Sequence, residues 1–308
     1  MQCIVATTSS KGACYSNCFK HSMIAQTLSH NVIKTKRATN DSKKKKLAEL
    51  KLLLAEDNEF NRMVAEDTLK ELLPGIHIDV AVNGQLAVEK VKTGMYDIVL
   101  MDIQMPVMDG VEATRTIRKT LPDSVNKIKI IAMTANVLME DVQKYFDVGM
   151  NAYVSKPFQP DELLLKMATV MEHIEVKAGQ NATAPQPAKA EDSVLKPLPA
   201  RVTDMNFLTQ FTGGKPDKME KYKGMFLENG PRLLRNIDEA LKIKDYATIK
   251  IAAHSMKPQL SYMGVKEDVS NIFLIEQTAG EQAHFERLPA LIEQLHKVCE
   301  KAFEELKG

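Results

Sequence analysis

Five residues in the first half of the chain have the chemistry needed to handle a phosphoryl group: Glu56, Asp57, Asp102, Thr134 and Lys156. Each sits at the end of a short apolar run. Glu56-Asp57 follows KLLLA (51–55), Asp102 follows IVLM (98–101), Thr134 follows IKIIAM (128–133), and Lys156 comes just after AYV (152–154). Three carboxylates converging in one shallow pocket repel one another unless something positive sits among them. A hard, oxygen-preferring cation such as Mg2+ meets that need with few protein ligands and several waters, and Lys156 supplies a second counter-charge. Thr134 and Lys156 can then hold two phosphoryl oxygens while Asp102 attacks phosphorus. Such a transfer is driven by positioning and charge neutralisation. In the second half, His254 in Ala-His-Ser-Met-Lys is the corresponding candidate, an imidazole able to accept a phosphoryl group beside Lys257.

The elements that must position the first group alternate. After KLLLA comes a helical pattern with Met63, Leu69, Leu72 and Leu73, stopped by Pro74-Gly75. A strand run follows at 76–82, then Asn83-Gly84 and a helix carrying Leu86, Ala87 and Val91. Helical stretches separate the remaining apolar runs, the last at about 161–172. Five such runs predict an α/β fold, a doubly wound five-stranded parallel sheet covered by helices on both faces. In such sheets functional groups collect at the carboxyl ends of the strands, where these five residues fall.

Taken in this order, with Asp-Ile-Gln-Met-Pro-Val-Met-Asp-Gly from Asp102 and Val-Ser-Lys-Pro-Phe around Lys156, segment 51–173 resembles the receiver domain of two-component response regulators. The resemblance implies a flavodoxin-like fold with Asp102 as phosphoacceptor. It implies Asp57 as a direct Mg2+ ligand, Glu56 as a ligand through water, and the backbone carbonyl of Gln104 completing the protein's share of the metal shell. Thr134 and Tyr153 are then the switch pair, Lys156 partners the phosphoryl group, and Pro157 matches the family's cis proline. Gln104 and Asn136 flank the phosphoryl position and are expected to govern its hydrolysis. Glu56-Asp57 replaces the Asp-Asp of many relatives while keeping charge and oxygen ligation.

Segment 203–308 shows no lasting strand alternation. Helical patterns at about 204–211, 216–243 (with Pro231 near a break), 246–263, 265–279 and 284–306 predict an all-α helical bundle. On 246–263, residues Ile249, Ala252, Ala253, Met256, Leu260 and Met263 fall within about 100° of one another and form the core stripe. His254 lies roughly 150° from its centre, beside Lys250, Lys257 and Ser261, which places it on an exposed outer face. His284 and His296 lack such a neighbourhood and read as structural or solvated. The Ala-His-Ser-Met-Lys stretch, with Gly264 downstream, resembles the histidine-phosphotransfer (HPt) domain. That resemblance implies that His254 is a second phosphoacceptor and that Lys257 offsets the phosphoryl charge. Pro258 stands where the family commonly has glycine; lacking an N–H, it is expected to kink the helix near the His254 carbonyl and to alter partner docking.

Whole-chain properties bound these readings. The 308 residues suffice for about two domains. No apolar run approaches the ~18 residues of a membrane span. Lys+Arg count 41 against 40 Asp+Glu, without the basic excess of a general nucleic-acid binder. The balance is uneven along the chain: residues 1–50 hold nine Lys/Arg against only Asp41 and Glu49, a net +7, leaving −6 for the remainder. This basic stretch lacks periodicity and reads as a disordered head with some transit-peptide character. Cys14, Cys18 and His21 within it have no second ligand pair for zinc. Residues 174–202, rich in Ala and Pro, read as a linker, and the sequon at Asn181 as fortuitous. Four cysteines fit a reducing, cytoplasmic location better than a disulfide scaffold.

The two resemblances together imply a phosphorelay intermediate, as in the carboxyl-terminal part of a hybrid sensor kinase. A sensor histidine kinase is the expected donor to Asp102, and a downstream response regulator the expected acceptor from His254. The chain is expected to be a phosphocarrier rather than a kinase. It shows no phosphate-binding Gly-rich loop and no likeness to a kinase ATP-binding domain. The second aspartate of a haloacid-dehalogenase-like phosphatase is replaced by Gln104. The alternative is a docking module regulated by receiver phosphorylation, without transfer through His254. It predicts that disrupting Ile249 or Leu260, but not His254, abolishes signalling.

Overall fold

The computed structural model describes residues 44–135, 139–172, 198–266, 270–281 and 284–307. Five strands, β1 (Lys51–Ala55), β2 (His77–Ala81), β3 (Ile98–Asp102), β4 (Lys129–Thr134) and β5 (Ala152–Ser155), form one sheet in the order β2-β1-β3-β4-β5. All four pairings are parallel. Alternate strand residues enter two separate cores. Leu52, Leu54, Ile98, Leu100, Ile131 and Met133 pack with α1 (Glu59–Leu72) and α5 (Pro160–Met171). Leu53, Val99, Met101, Ile130 and Ala132 face α2 (Gly84–Val91), α3 (Gly110–Thr120) and α4 (Met139–Asp147). This is the two-faced burial expected of near-continuous apolar strands in a parallel sheet.

Helix starts are set by side chains at the strand ends. Asn58 and Asn83 accept from the amides of Asn61 and Leu86, and Asp109 accepts from Glu112, each satisfying an orphan first-turn donor. Gly110 has no room for a side chain, since a Cβ would stand 2.1 Å from the carbonyl oxygen of Asp102. The α3 terminus is thereby packed directly on the end of β3.

The helical domain comprises α6 (Asn206–Phe211), α7 (Pro216–Ile243), α8 (Tyr246–Tyr262), α9 (Ile272–Glu281) and α10 (Leu288–Lys307), with a short 3-10 turn at Phe285–Arg287. Helix α8 packs against both α7 and α9. The apolar stripe Ile249, Ala252, Ala253, Met256, Leu260 and Met263 is buried as its spacing predicts. Three details differ from the sequence reading. Pro231 lies inside an unbroken α7, and Pro258 inside an unbroken α8. The helical stretch expected over 265–279 is interrupted at Asn271, between helical Ser270 and the helix starting at Ile272, because Asn271 takes a left-handed φ of 55° that a helix cannot continue through. The tail of the basic head is also structured: residues 44–48 are helical, with Leu47 buried in the α1–α5 core. Most of the head, and the linker up to residue 197, fall outside the described residues.

The α1–α5 core runs on into the helical domain. Phe60 of α1 is fully buried against Tyr222 of α7 and Tyr262 of α8, with ring centroids 6.1 and 5.7 Å apart. The two domains therefore meet edge to edge over α1, beside the carboxyl ends of β1, β3 and β5.

Candidate functional site

β1 hands Glu56 and Asp57 to the rim, β3 ends on Asp102, and β4 ends on Thr134. Ligand oxygens of Glu56, Asp57 and Asp102 come within 4.8 Å of one another. Lys156, held by a cis Lys156–Pro157 peptide, places Nζ 2.6 Å from Glu56 Oε2 and 2.7 Å from Asp102 Oδ2. One ammonium thus bridges two of the three carboxylates, and the surplus negative charge and hard oxygen donors fit a divalent cation of the Mg2+ type. Burial and the neighbouring Glu56 push the Asp102 carboxyl up to about 7, partly countered by Lys156 and by His254. Burial likewise raises Asp57, again with Glu56 second. The opposite field holds Lys156 protonated: burial disfavours its charge, but Asp102 and Glu56 outweigh it.

The site has supports that spacing does not reveal. Asn61 Nδ2 donates to Glu56 Oε1 at 3.0 Å, and Arg62 donates to the carbonyls of Glu56 and Asp57. The Gln104 amide donates to Asp102 Oδ1 at 3.3 Å, so the backbone here turns back over the carboxylate. The Thr134 hydroxyl lies 3.2 Å from the hydroxyl of Tyr145 on α4. Tyr153, the expected partner of Thr134, stands half-buried, edge-on to Phe146 and beneath Lys166. Tyr145 is buried in the α2–α4 core, and a lone tyrosine in a helical pattern gave no signal of contact with β4. Asn136 lies outside the described residues.

His254 corrects the sequence reading. It is not on an exposed face; 6% of its surface is accessible. The single-stripe argument assumed that α8 buries one side, whereas α7, α9 and the α/β domain enclose it on several, so Ser255, Pro258 and Gln259 are buried as well. His254 Nδ1 stands 2.8 Å from Glu276 Oε1 of α9, and Nε2 is buried with no hydrogen-bond partner. Lys257 does not stand beside an open imidazole. Its Nζ lies 3.8 Å from Glu276 Oε2 and 4.6 Å from the Phe273 ring centroid. Burial pushes the Glu276 carboxyl up, but the bond with His254 and the charges of His254, Lys257 and Lys250 bring it below its ordinary value.

The two groups of residues are neighbours. Pro258 and Tyr262 of α8 line the same small cleft as Glu56, Asn61, Lys156, Pro157 and Phe158. Pro258, expected to kink its helix and to alter partner docking, leaves the helix unbroken and is part of the wall where the domains meet. His296 is bonded to Asp238 at 2.8 Å, remote from this cleft in the chain and in contacts.

Residues 52–168 match the family described as response regulator receiver domain. The two-component response regulator ORR41 of Oryza sativa subsp. japonica is 42% identical over 119 residues, 37% of this chain and 88% of that protein. Hybrid signal transduction histidine kinase B of Dictyostelium discoideum is 42% identical over 126 residues, 38% of this chain and 6% of that protein. The aerobic respiration control sensor protein ArcB of Escherichia coli (strain K12) is 28% identical over 259 residues, covering 84% of this chain and 31% of that protein. The chain thus spans less than a third of the length of these kinases. Among solved structures, the receiver domain of sensor histidine kinase PA1611 from Pseudomonas aeruginosa, with a magnesium ion coordinated in its active-site cleft, aligns at 38% identity. That alignment covers 39% of this chain and 94% of the other, with a TM-score of 0.35. No helix among the described residues is long and apolar enough to cross a membrane.

Proposed function

The chain belongs to the response regulator receiver family, and from that premise we propose that it is a two-site phosphorelay carrier, with Asp102 and His254 as successive phosphoacceptors. The observation that carries this reading is the imidazole of His254. Its Nδ1 is tied to Glu276, its Nε2 is unbonded, and its helix lines, through Pro258 and Tyr262, the same cleft as Glu56 and Lys156. The length of the ArcB alignment, which runs well beyond the receiver, supports treating both domains as one unit.

In the first step an oxygen of Asp102 attacks the phosphorus of a phosphohistidine on a sensor kinase. The O–P bond forms as the N–P bond breaks, and the donor imidazole leaves with its electron pair. Mg2+, held by Glu56, Asp57, Asp102 and the Gln104 carbonyl, supplies charge neutralisation for the phosphoryl oxygens when bound. Lys156 holds one of those oxygens and, with Thr134, orients the group. In the second step Nε2 of His254 attacks the same phosphorus, and Asp102 leaves as a carboxylate that Lys156 receives. The ring becomes a phosphoimidazolium whose Nδ1 proton stays on the bond to Glu276, so the carboxylate meets the charge that develops. Transfer onward is to the aspartate of a downstream response regulator, and the whole sequence is reversible. With a phosphorylated kinase and Mg2+, Asp102→Asn should abolish receiver labelling, and His254→Gln should stop onward transfer alone. Labelling that survives Asp102→Asn overturns the assignment.

A further inference from the structure

Glu56 is tied at both of its carboxylate oxygens. Asn61 Nδ2 donates to Oε1 at 3.0 Å, and the backbone amide of Asn58 donates to the same oxygen at 3.3 Å. Lys156 Nζ donates to Oε2 at 2.6 Å. Facing a carboxylate, the Asn61 side chain can present only its NH2 group, so its orientation is set. Asn61 is held in turn, since its backbone amide donates to the side chain of Asn58 that starts α1. Asn61 and Glu56 are both buried, and Val64, Met133 and Phe158 give the cleft beside them apolar walls. In such surroundings each of these bonds is electrostatically stronger than in water. The contacts form one line, from Asn61 to Glu56, from Glu56 to Lys156, and from Lys156 to Asp102 Oδ2 at 2.7 Å.

We propose that Asn61 is a positioning residue for phosphoryl acceptance, acting on Asp102 through Glu56 and Lys156. The inference deepens the relay reading and rests on Asp102 as phosphoacceptor. An ammonium carries three N–H donors. With Glu56 fixed by Asn61, one donor is placed on Glu56 and one on Asp102, which leaves the third for an incoming phosphoryl oxygen. Without Asn61, Glu56 Oε1 keeps only the longer bond from Asn58, and the carboxylate turns about its broad terminal torsion. Lys156 then loses its second anchor and settles on Asp102, masking an oxygen that would attack phosphorus. Asn61 thus sets the rate of acceptance without touching the phosphoryl group or the metal.

Initial labelling rates of the full chain with acetyl phosphate at saturating Mg2+ test this, in wild type, Asn61→Leu, Glu56→Gln and the double variant. The Asp102 oxygen bonds to phosphorus as acetate leaves with the electron pair of the broken O–P bond, and His254 takes no part. Asn61→Leu keeps the bulk of the side chain without its donor. It should slow labelling by at least about tenfold, with the Mg2+ concentration for half-maximal rate within about twofold of wild type. In the Glu56→Gln background the same change should slow labelling by no more than about twofold. Asn61→Asp keeps the shape and replaces the donor with a repelling oxygen, so it should be as slow as Asn61→Leu, whereas a packing role predicts the wild-type rate. Circular dichroism verifies that the variants fold. Urea unfolding without Mg2+ reads the coupling independently of phosphorylation. There Asn61→Leu should lower the folding constant at least about tenfold in the wild-type background and by less in Glu56→Gln. Wild-type labelling in Asn61→Leu or Asn61→Asp, equal losses in both backgrounds, or a loss made good by more Mg2+ overturns the proposal. Absence of label on the wild type would instead remove Asp102 as the acceptor, so the two failures register separately.

Discussion

His254 and Glu276, 22 residues apart in sequence, are joined across the helical domain by a 2.8 Å contact from Nδ1 to Oε1. Facing a carboxylate, Nδ1 is the nitrogen that carries the proton, and in the proposed relay Nε2 is the nucleophile. Glu276→Gln keeps the shape but removes the charge that meets the phosphoimidazolium. Transfer to His254 should slow by at least about tenfold, equivalent to about 1.4 kcal/mol, in single-turnover assays. An unchanged rate would leave Glu276 a packing residue. The pair also carries a pH signature. Because the Glu276 carboxyl is held below its ordinary value in the folded chain, its contribution to stability is present above the unfolded value of 4.5 and is lost as pH falls through the lower folded one. Unfolding curves below about pH 4.5 should therefore converge for wild type and Glu276→Gln, having been separated at neutral pH.

The acidic cluster makes a prediction about metal. Mg2+ binding to the folded receiver alone should raise its melting temperature, with a stabilisation of about 2.7 kcal/mol at a hundredfold excess over the dissociation constant. Asp57→Asn removes a ligand while leaving the Lys156 bridge between Glu56 and Asp102 in place. It should erase the Mg2+-dependent shift without unfolding the domain. Calorimetry with and without Mg2+ reads both, and a full shift in Asp57→Asn would exclude that residue from the metal shell.

Tyr145 gives a third test. Its hydroxyl is bonded to that of Thr134, so Thr134 moves toward a phosphoryl group only by giving up this contact. Tyr145→Phe removes the competitor at a stability cost of about 1 kcal/mol. It should speed labelling of Asp102 by a small phosphodonor such as acetyl phosphate. Slower labelling would mean that Tyr145 supports the active position of Thr134 instead.

Gly110 marks the mechanical limit of the site. A methyl group there collides with the Asp102 backbone, so Gly110→Ala must push α3 away from the end of β3. Denaturant unfolding should show a loss of about 1–3 kcal/mol from overpacking, with weaker Mg2+ binding as Asp102 shifts. A stable variant with normal Mg2+ affinity would show that the β3–α3 junction yields.

The α/β fold was legible because its signals are local: apolar runs five residues long, Gly and Asn at their ends, and polar residues at the same end of every strand. Glu56, Asp57, Asp102, Thr134 and Lys156 meet because a parallel sheet places all carboxyl ends on one edge, which topology alone predicts. What eluded the sequence depends on contacts between elements distant along the chain. Neither Glu276 beside His254 nor Tyr145 beside Thr134 follows from spacing, since each partner lies on another helix. The burial of His254 was misread for the same reason. A helical wheel reports one apolar stripe, but α8 is covered on its polar side by a second domain through Pro258 and Tyr262. The proline that breaks the local pattern sits where the domains touch.

The relay through His254 is tested most directly by the chemical stability of the label. The full chain is phosphorylated at Asp102 with acetyl phosphate and Mg2+, then quenched in alkali, which cleaves acyl phosphates and spares phosphohistidine. Alkali-stable label should appear on wild type in time, and be absent from both Asp102→Asn and His254→Gln. Alkali-stable label persisting in His254→Gln, or none ever forming on the wild type, would contradict transfer between the two residues.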